Sequence, residues 1–505
     1  MAGKAQELYE CTNLGSDIGQ GIDVAINCAF QPLSDAALGV IFYSIDIGIE
    51  NAAGDPLKLP LILLWLAAAS LFFTFYFGFI NIRYFKHSVD VAFNKYHESD
   101  ADGQISSFQA LATSLSGTVG LGNIAGVAVA VTAGGPGAAL WMAIMGLFSM
   151  STKFIEVTLG VKYRHHNDKS HPEQISGGPM YYLRDALNNR NIPYLGTILA
   201  TVFAIACIGG ALGGGNMFQA NQAFTQVLNI SGGEESWFNE KGWVFGLLMA
   251  FMVGVVIIGG IKSIANAASK IVPLMAGIYL VIGFIIIAMN LPALPGALGV
   301  IVSSAFSLEA GFGGFLGALL AGVQRATFSN EAGLGSSAIV HATAKTNIPA
   351  RQGIAGMMGS FIDTVIICMM TALIIVISGA HEGIDGLAGV ELTSAAMGSA
   401  VSWFPYVLAI CVVLFAYSTL ITWYYYGEKA LTFLAGEKGW ITLLFKLVFC
   451  SFVIVGAAAN MESVIGFSDA MILSLGIPNI IGLYILAPEV KRDLKKYIQE
   501  FKTTK

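Results

Sequence analysis

The segment SGTVGLGN, Ser116 to Asn123, sets hydroxyls at Ser116 and Thr118 and an amide at Asn123 among glycines, and Gly126 follows within a turn. These groups offer hydrogen-bond donors, oxygen ligands and a backbone free to leave a helix. Each glycine lowers helix propensity by about 1 kcal/mol relative to alanine. Gly122 and Gly126 also have the spacing of a small-residue packing face, but packing does not account for the amide beside the hydroxyls. A second run of the same character is FSLEAGFGGFLG, Phe306 to Gly317, where Gly311, Gly313 and Gly314 follow Ser307 and Glu309. Carboxylates interrupt other apolar stretches. Asp363 in GSFIDTVIICMM is the most isolated, either a structural carboxyl or a group that couples to a cation or proton. Glu156 is expected to pair with Lys153 at i, i+3, and Glu331 to lie in an inner-loop helix. No HExxH pattern, paired Cys/His ligand set or nucleophile elbow falls within an apolar segment, which argues against a membrane enzyme. Cys207, Cys368, Cys411 and Cys450 are expected as small buried residues, and Cys11 and Cys28 as free thiols rather than an external disulfide.

Broken backbone of this kind has meaning only in its solvent. The 505 residues are 55% hydrophobic and 11% charged, with a mean hydropathy of +0.70, more apolar surface than soluble cores bury. The chain is therefore expected to be an all-α polytopic membrane protein. The modest net charge of −6 and the lack of a basic domain do not suggest nucleic acid as a partner. Eleven spans are predicted near 59–81, 107–133, 138–160, 196–228, 243–260, 270–290, 297–323, 354–379, 402–427, 440–460 and 466–487. Residues 1–56, rich in Asp and Glu, read as an external segment with an amphipathic helix and no removable signal peptide. With the N-terminus outside, inner loops hold 21 of the 26 lysines and arginines, so the positive-inside rule predicts N-out, C-in. The organisation that follows is a peripheral helix at 57–85, five-helix repeats at 106–290 and 297–487, and a basic cytoplasmic tail at 488–505.

In lipid, irregular backbone persists only where protein or a polar cavity surrounds it. Two interrupted spans, each the first of five, place the halves in opposite orientations. Paired broken helices in inverted repeats point to a secondary transporter with a midplane site. A channel would favour filter loops or rings from symmetric subunits instead.

The residues carry a resemblance as well. TVGLGN followed by FSLEAGFGG is similar to the unwound helices of the neurotransmitter:sodium symporters. Longer blocks cover nearly the whole chain after residue 57. These are SSFQALATSLSGTVGLGNIAGVA, GGPGAALWMAIMGLFSMSTKFIEVTLGVKYR, GGPMYYL, QRATFSNEAGLGSSA and FAYSTLITWYYYGEK, and they resemble the alanine or glycine:cation symporter family of the amino acid–polyamine–organocation superfamily. The resemblance implies a leucine-transporter-like fold in a plasma (inner) membrane, and sodium-coupled uptake of alanine or glycine without an organic cofactor. A monomer is expected. A proton-coupled carrier of the same fold is the alternative.

A zwitterion needs donors at one end and acceptors at the other. The N–H groups beyond Leu121 and Gly122 are expected to receive its carboxylate, and carbonyls in 308–312 its ammonium. Asn123, Gln219, Thr419 and Trp423 are expected to complete the substrate site, with Trp423 and Phe312 closing a small cavity. The alternative for Trp423 is an interfacial anchor, since three tyrosines follow it. Sodium is a hard ion that takes oxygen ligands. Alignment with the sodium-symporter pattern implies a first site from the carbonyls of Ser116 and Val119 with the hydroxyls of Ser418 and Thr419. A second would use the Thr118 carbonyl, the Asn123 amide and Ser307.

Overall fold

The computed structural model describes residues 22–50, 56–93, 95–96, 101–166, 175–307, 311–382 and 387–503. The chain is mostly helical. In order, its main helices are α1 Ile22–Ile41, α2 Leu61–Tyr76, α3 Ser107–Thr118, α4 Ala125–Gly134, α5 Gly137–Lys162, α6 Pro193–Ile230, α7 Gly242–Ile257, α8 Gly260–Met289, α9 Leu294–Phe306, α10 Gly311–Asn330 and α11 Ser336–His341. They continue with α12 Pro349–Ile377, α13 Val390–Ala400, α14 Phe404–Ala435, α15 Gly439–Ala458, α16 Met461–Ser474 and α17 Gly476–Thr503. Among the described residues eight helices are long and apolar enough to cross a membrane, or nine with α3 and α4 taken as one bent span. The outward faces of α7, α8 and α15 leave Phe251, Val255, Phe284, Leu443 and Leu447 exposed. Such a belt suits a multi-pass membrane protein, whose bilayer covers it.

The N-terminal helix is bound to the rest by polar contacts at its neighbours' ends. Asp23 accepts from the Gly242 and Trp243 amides at 2.8 and 3.4 Å, meeting orphan donors in the first turn of α7. Ser34 donates to the Ser463 carbonyl at 2.8 Å, and Phe30 packs edge-on against Phe467 of α16. A short antiparallel hairpin, Ser44–Glu50 with Pro56–Pro60, follows. Contrary to the expectation for the cysteines, Cys28 is disulfide-bonded, whereas Cys207, Cys368, Cys411 and Cys450 are free.

The first break lies where the glycines predict it. α3 ends at Thr118, and the following Leu121–Gly134 segment leaves at 60°. The second break does not. The predicted span 297–323 straddles two helices: α9 ends at Phe306, and α10 runs unbroken from Gly311 to Asn330. Residues 308–310, which include Glu309 and most of the carbonyls expected to bind ammonium, lie outside the described residues. The interruption that faces the first break comes at 331–335, between α10 and α11. There Glu331, Gly333 and Gly335 take φ values of 56°, 90° and 79°, and three left-handed residues in five end a helix. Gly322 of α10 serves packing instead. A Cβ on Gly322 would lie 2.5 Å from the Trp141 Cβ of α5.

Candidate functional site

The first break is built by residues that close it on itself and on its neighbours. Gly120 is extended, Leu121–Asn123 forms a single 3₁₀ turn, and the Asn123 side-chain oxygen accepts from the Gly120 amide at 2.9 Å. The Leu121 amide is held by the side-chain oxygen of Gln219 at 2.9 Å, and the Gln219 amide nitrogen donates to the Gly214 carbonyl at 2.9 Å. That carbonyl belongs to a π-helical segment of α6, Gly213–Met217. Wide turns of this kind release backbone groups from the helical ladder. Gln219 thus joins two irregular segments, and its neutral oxygen sits on the donor that the sequence assigned to a carboxylate. The approach is tight: a Cβ on Gly120 would lie 2.5 Å from the Thr419 hydroxyl and 2.9 Å from the Gln219 oxygen.

Ser116, Ser418 and Thr419 converge where α3 meets α14. The Thr419 hydroxyl donates to the Ser116 carbonyl at 3.1 Å, and the Ser418 hydroxyl reaches that carbonyl at 3.5 Å. The Ser116 hydroxyl donates to the Ser418 carbonyl at 2.7 Å and accepts from Thr422 at 3.0 Å. Ser116, Ser418, Thr419 and Thr422 are all buried, with buried Val119 ending α3 beside them. A cluster of hydroxyls and carbonyls without a carboxylate has the donor chemistry of a monovalent hard cation. Among the described residues no three His, Cys, Asp or Glu side chains group as a metal site.

The residues expected to form the second cation set are distributed differently. The Thr118 carbonyl accepts from Gly120, and the Asn123 amide nitrogen donates to the Asp363 carboxylate at 2.7 Å. Ser307 instead follows α9, whose Ser304 and Ala305 bond Gly137 and Trp141 in the first turns of α5. Asp363 is not isolated. It lies on a π segment, Phe361–Cys368, and also accepts from Ser329 at 2.5 Å and Thr364 at 2.9 Å. The structure therefore brings Asn123 to Asp363 and Ser329.

The second break is equally polar. Glu331 is buried, not part of an inner loop, because it ends α10 inside the bundle. Its carboxylate accepts from the Trp423 indole at 3.0 Å and, through the other oxygen, from Ser336. Glu156 does not pair with Lys153. It accepts from the Gly335 amide at 2.9 Å and from Asn479 at 2.8 Å, while Lys153 donates to Ser337 at 2.6 Å. Both side chains reach across to the break, which needs partners for its freed backbone groups more than the exposed ion pair of a surface helix would.

Trp423 is 1% exposed and so is no interfacial anchor. The glycines of GGALGGGN make room for it: a Cβ on Gly215 would sit 2.2 Å from its ring. Phe312 lies in the first turn of α10, and its side chain falls outside the described residues. The aromatic of α10 at the centre is Phe328, which meets Phe218 edge-on at 5.0 Å and borders Gly122 and Gly214. Sequence reasoning missed Phe328 and Phe218, although Phe328 stands within QRATFSNEAGLGSSA and Phe218 next to Gln219. It also missed the buried ion pair of Arg325 with Asp469, which Gln324 supports at 2.8 Å.

A family model, the sodium:alanine symporter family, matches residues 47–505. The chain is 40% identical over 454 residues to a protein named sodium/alanine symporter AgcS from Methanococcus maripaludis, covering 89% of this chain and 97% of that one. It is 35% identical over 459 residues to a protein named probable sodium/glutamine symporter GlnT from Bacillus subtilis, covering 90% and 92%. A crystal structure of MhsT in complex with L-phenylalanine gives a TM-score of 0.44 at 16% identity, over 78% of this chain and 99% of that chain.

Proposed function

The chain belongs to the sodium:alanine symporter family, which is one of transporters and not of enzymes, and from that premise we propose that it couples inward sodium flow to uptake of a small neutral amino acid, alanine or glycine. The observation that carries this is the pairing at the first break. The Leu121 amide takes an amide oxygen from Gln219 where it would take a substrate carboxylate, one turn from the oxygen cluster of Ser116, Ser418 and Thr419. The carboxylate displaces the Gln219 oxygen, and the charge-assisted bond it makes is about twice as strong as the neutral one it replaces. Sodium takes the carbonyls of Ser116 and Val119 with the Ser418 and Thr419 hydroxyls. Gly122 and Asn123 shape the break, and Trp423 walls the site. Asp363, held by Asn123, Ser329 and Thr364, is the coupling carboxylate. Buried Trp423, Phe328 and Phe218 around the break favour a cargo with little side chain.

Transport proceeds by alternating access, one bundle rocking against the other around the two breaks. Eleven spans serve it: α2, then α3–α4, α5, α6, α7 and α8, and then α10–α11, α12, α14, α15 and α16–α17, with α1, α9 and α13 outside the count. In this arrangement 106–290 and 297–487 are inverted repeats, and the second begins its broken helix at Gly311. The N-terminus faces out and the basic tail faces the cytoplasm of a plasma-membrane monomer. The disulfide at Cys28 agrees with an oxidising exterior. One net positive charge moving inward adds about 2.3 kcal/mol per 100 mV.

Uptake of radiolabelled alanine into proteoliposomes tests the assignment. It should require inward sodium, fail in choline and be displaced by unlabelled alanine and glycine. Uptake driven by a pH gradient in choline would replace sodium with protons, and displacement only by larger amino acids would reassign the cargo.

A further inference from the structure

A cavity of about 450 Å³ opens at the ends of α8 and α14, away from the two breaks. Its walls are the first turn of α8, the turn joining α14 to α15, and Gln104 and Ile175. One face of α14 forms the floor, since Tyr425, Glu428, Lys429 and Thr432 recur at helical spacing. The same helix carries Ser418, Thr419 and Trp423, and at 1.5 Å per residue Glu428 lies about 7.5 Å along the axis from Trp423. α3, α8 and α14 pack on one another, so the cavity continues the line of the oxygen cluster.

Its chemistry is of both signs. Lys262 and Lys438 stand exposed at the mouth, and partly buried Glu428 and Lys429 lie deeper. Glu428 accepts from Tyr424 at 2.8 Å, Lys429 donates to Ser176 at 3.0 Å, and Lys429 faces Glu437 at 3.7 Å. The Tyr425 hydroxyl is buried without a hydrogen-bond partner among the described residues. A simple anion would meet Glu428 and Glu437, and a simple cation would meet three lysines. A zwitterion satisfies both sets.

We propose that this cavity is a second amino-acid subsite on the cargo's path, with Glu428 taking the ammonium and Lys262 and Lys438 the carboxylate. It rests on the assignment of an amino-acid cargo. It adds a binding step in which neither the broken helices nor the sodium ligands take part, so occupancy here is independent of sodium.

Equilibrium dialysis of radiolabelled alanine against the purified full chain separates the two sites. In sodium the chain should bind two alanines, and in choline one. Glu428→Gln should weaken the choline-resistant binding about tenfold, the loss of one charge-assisted bond. Lys262→Gln with Lys438→Gln should do the same. Alaninamide, which lacks the carboxylate, should not compete for that site. A stoichiometry of one in sodium and none in choline would overturn the subsite and leave the sodium-coupled site standing. No binding in either would instead remove the cargo assignment itself. Choline-resistant binding that both variants leave unchanged, at wild-type melting temperature, would also overturn the subsite.

Discussion

Gly120→Ala isolates what the first break does. At this position φ is −132°, so alanine fits the backbone and any effect must come from the added methyl. That methyl would lie 2.5 Å from the Thr419 hydroxyl and 2.9 Å from the Gln219 oxygen, well inside ordinary contact. The methyl crowds the Thr419 hydroxyl proposed for sodium and the position of the Gln219 oxygen, which the proposed carboxylate takes over, so moving Gln219 does not relieve it in the bound state. Overpacking of one methyl costs about 1–3 kcal/mol, and at 1.4 kcal/mol per decade alanine binding should weaken about 5- to 150-fold. Two neighbours calibrate the result. A methyl on Gly122 would meet Phe328 and the Ser329 backbone at 3.3 and 3.4 Å, and one on Gly126 would find nothing nearer than Arg325 at 3.9 Å. Affinity should therefore fall most for Gly120→Ala, less for Gly122→Ala and least for Gly126→Ala. Alanine binding and melting temperature, measured on the same detergent preparations, decide it. Wild-type affinity in Gly120→Ala would refute the placement of cargo and cation at this break, and an equal loss in Gly126→Ala would reduce the glycines to helix breaking.

Three other outcomes are expected. Ser418→Ala with Thr419→Ala removes two hydroxyls from the oxygen cluster and should raise the sodium concentration for half-maximal uptake several-fold, checked by a sodium titration at fixed alanine. Trp423→Phe leaves the buried Glu331 carboxylate short of a donor and should cost about 1–3 kcal/mol of stability, whereas Glu331→Gln keeps an acceptor for the indole and should cost less; melting temperatures test the order. On the loop side, burial pushes the Asp185 carboxyl up, but hydrogen bonds from His165 and Arg184 outweigh it and hold the group below its ordinary range. A depressed carboxylate stabilises the fold above its unfolded pKa and loses that contribution as pH falls through the folded value, so Asp185→Asn should flatten the acid side of the melting profile.

The first break was legible because glycine and a mid-span amide are local signals. Gly120, Gly122 and Asn123 carry it in the sequence itself, and the bend follows at Thr118. The second was not, because FSLEAGFGGFLG has the richer glycine count while the actual break at 331–335 depends on left-handed backbone at Glu331, which composition does not announce. Gly134 and Gly322 answer to tertiary contact: a Cβ on Gly134 would lie 2.8 Å from Ala321 of α10, and one on Gly322 2.5 Å from Trp141 of α5. Asp363 and Glu331 were visible as costly carboxylates, but their partners Ser329, Thr364 and Ser336 come from elsewhere in the fold. The disulfide at Cys28 likewise depends on how the N-terminal segment is held, and spacing gives no sign of that.

The two breaks share one physical rule. At both breaks polar groups are bonded to side chains from other helices: Leu121 to Gln219, Ser116 to Thr419, Gly335 to Glu156, and the Glu331 carboxylate to Trp423. The neutral bonds among them, Leu121 to Gln219 and Ser116 to Thr419, contribute about 1 kcal/mol each once the competing partner is counted. A cargo therefore gains only the difference between its own bond and the one it displaces. For a neutral oxygen replacing that of Gln219 this difference is near zero. For a carboxylate on the Leu121 amide, or a cation among the Ser116 and Thr419 oxygens, charge makes the exchange favourable. Under the proposed assignment the centre would discriminate by charge before it discriminates by size, and only a molecule that brings both a carboxylate and a cation's company to the first break would repay the opening of its internal bonds.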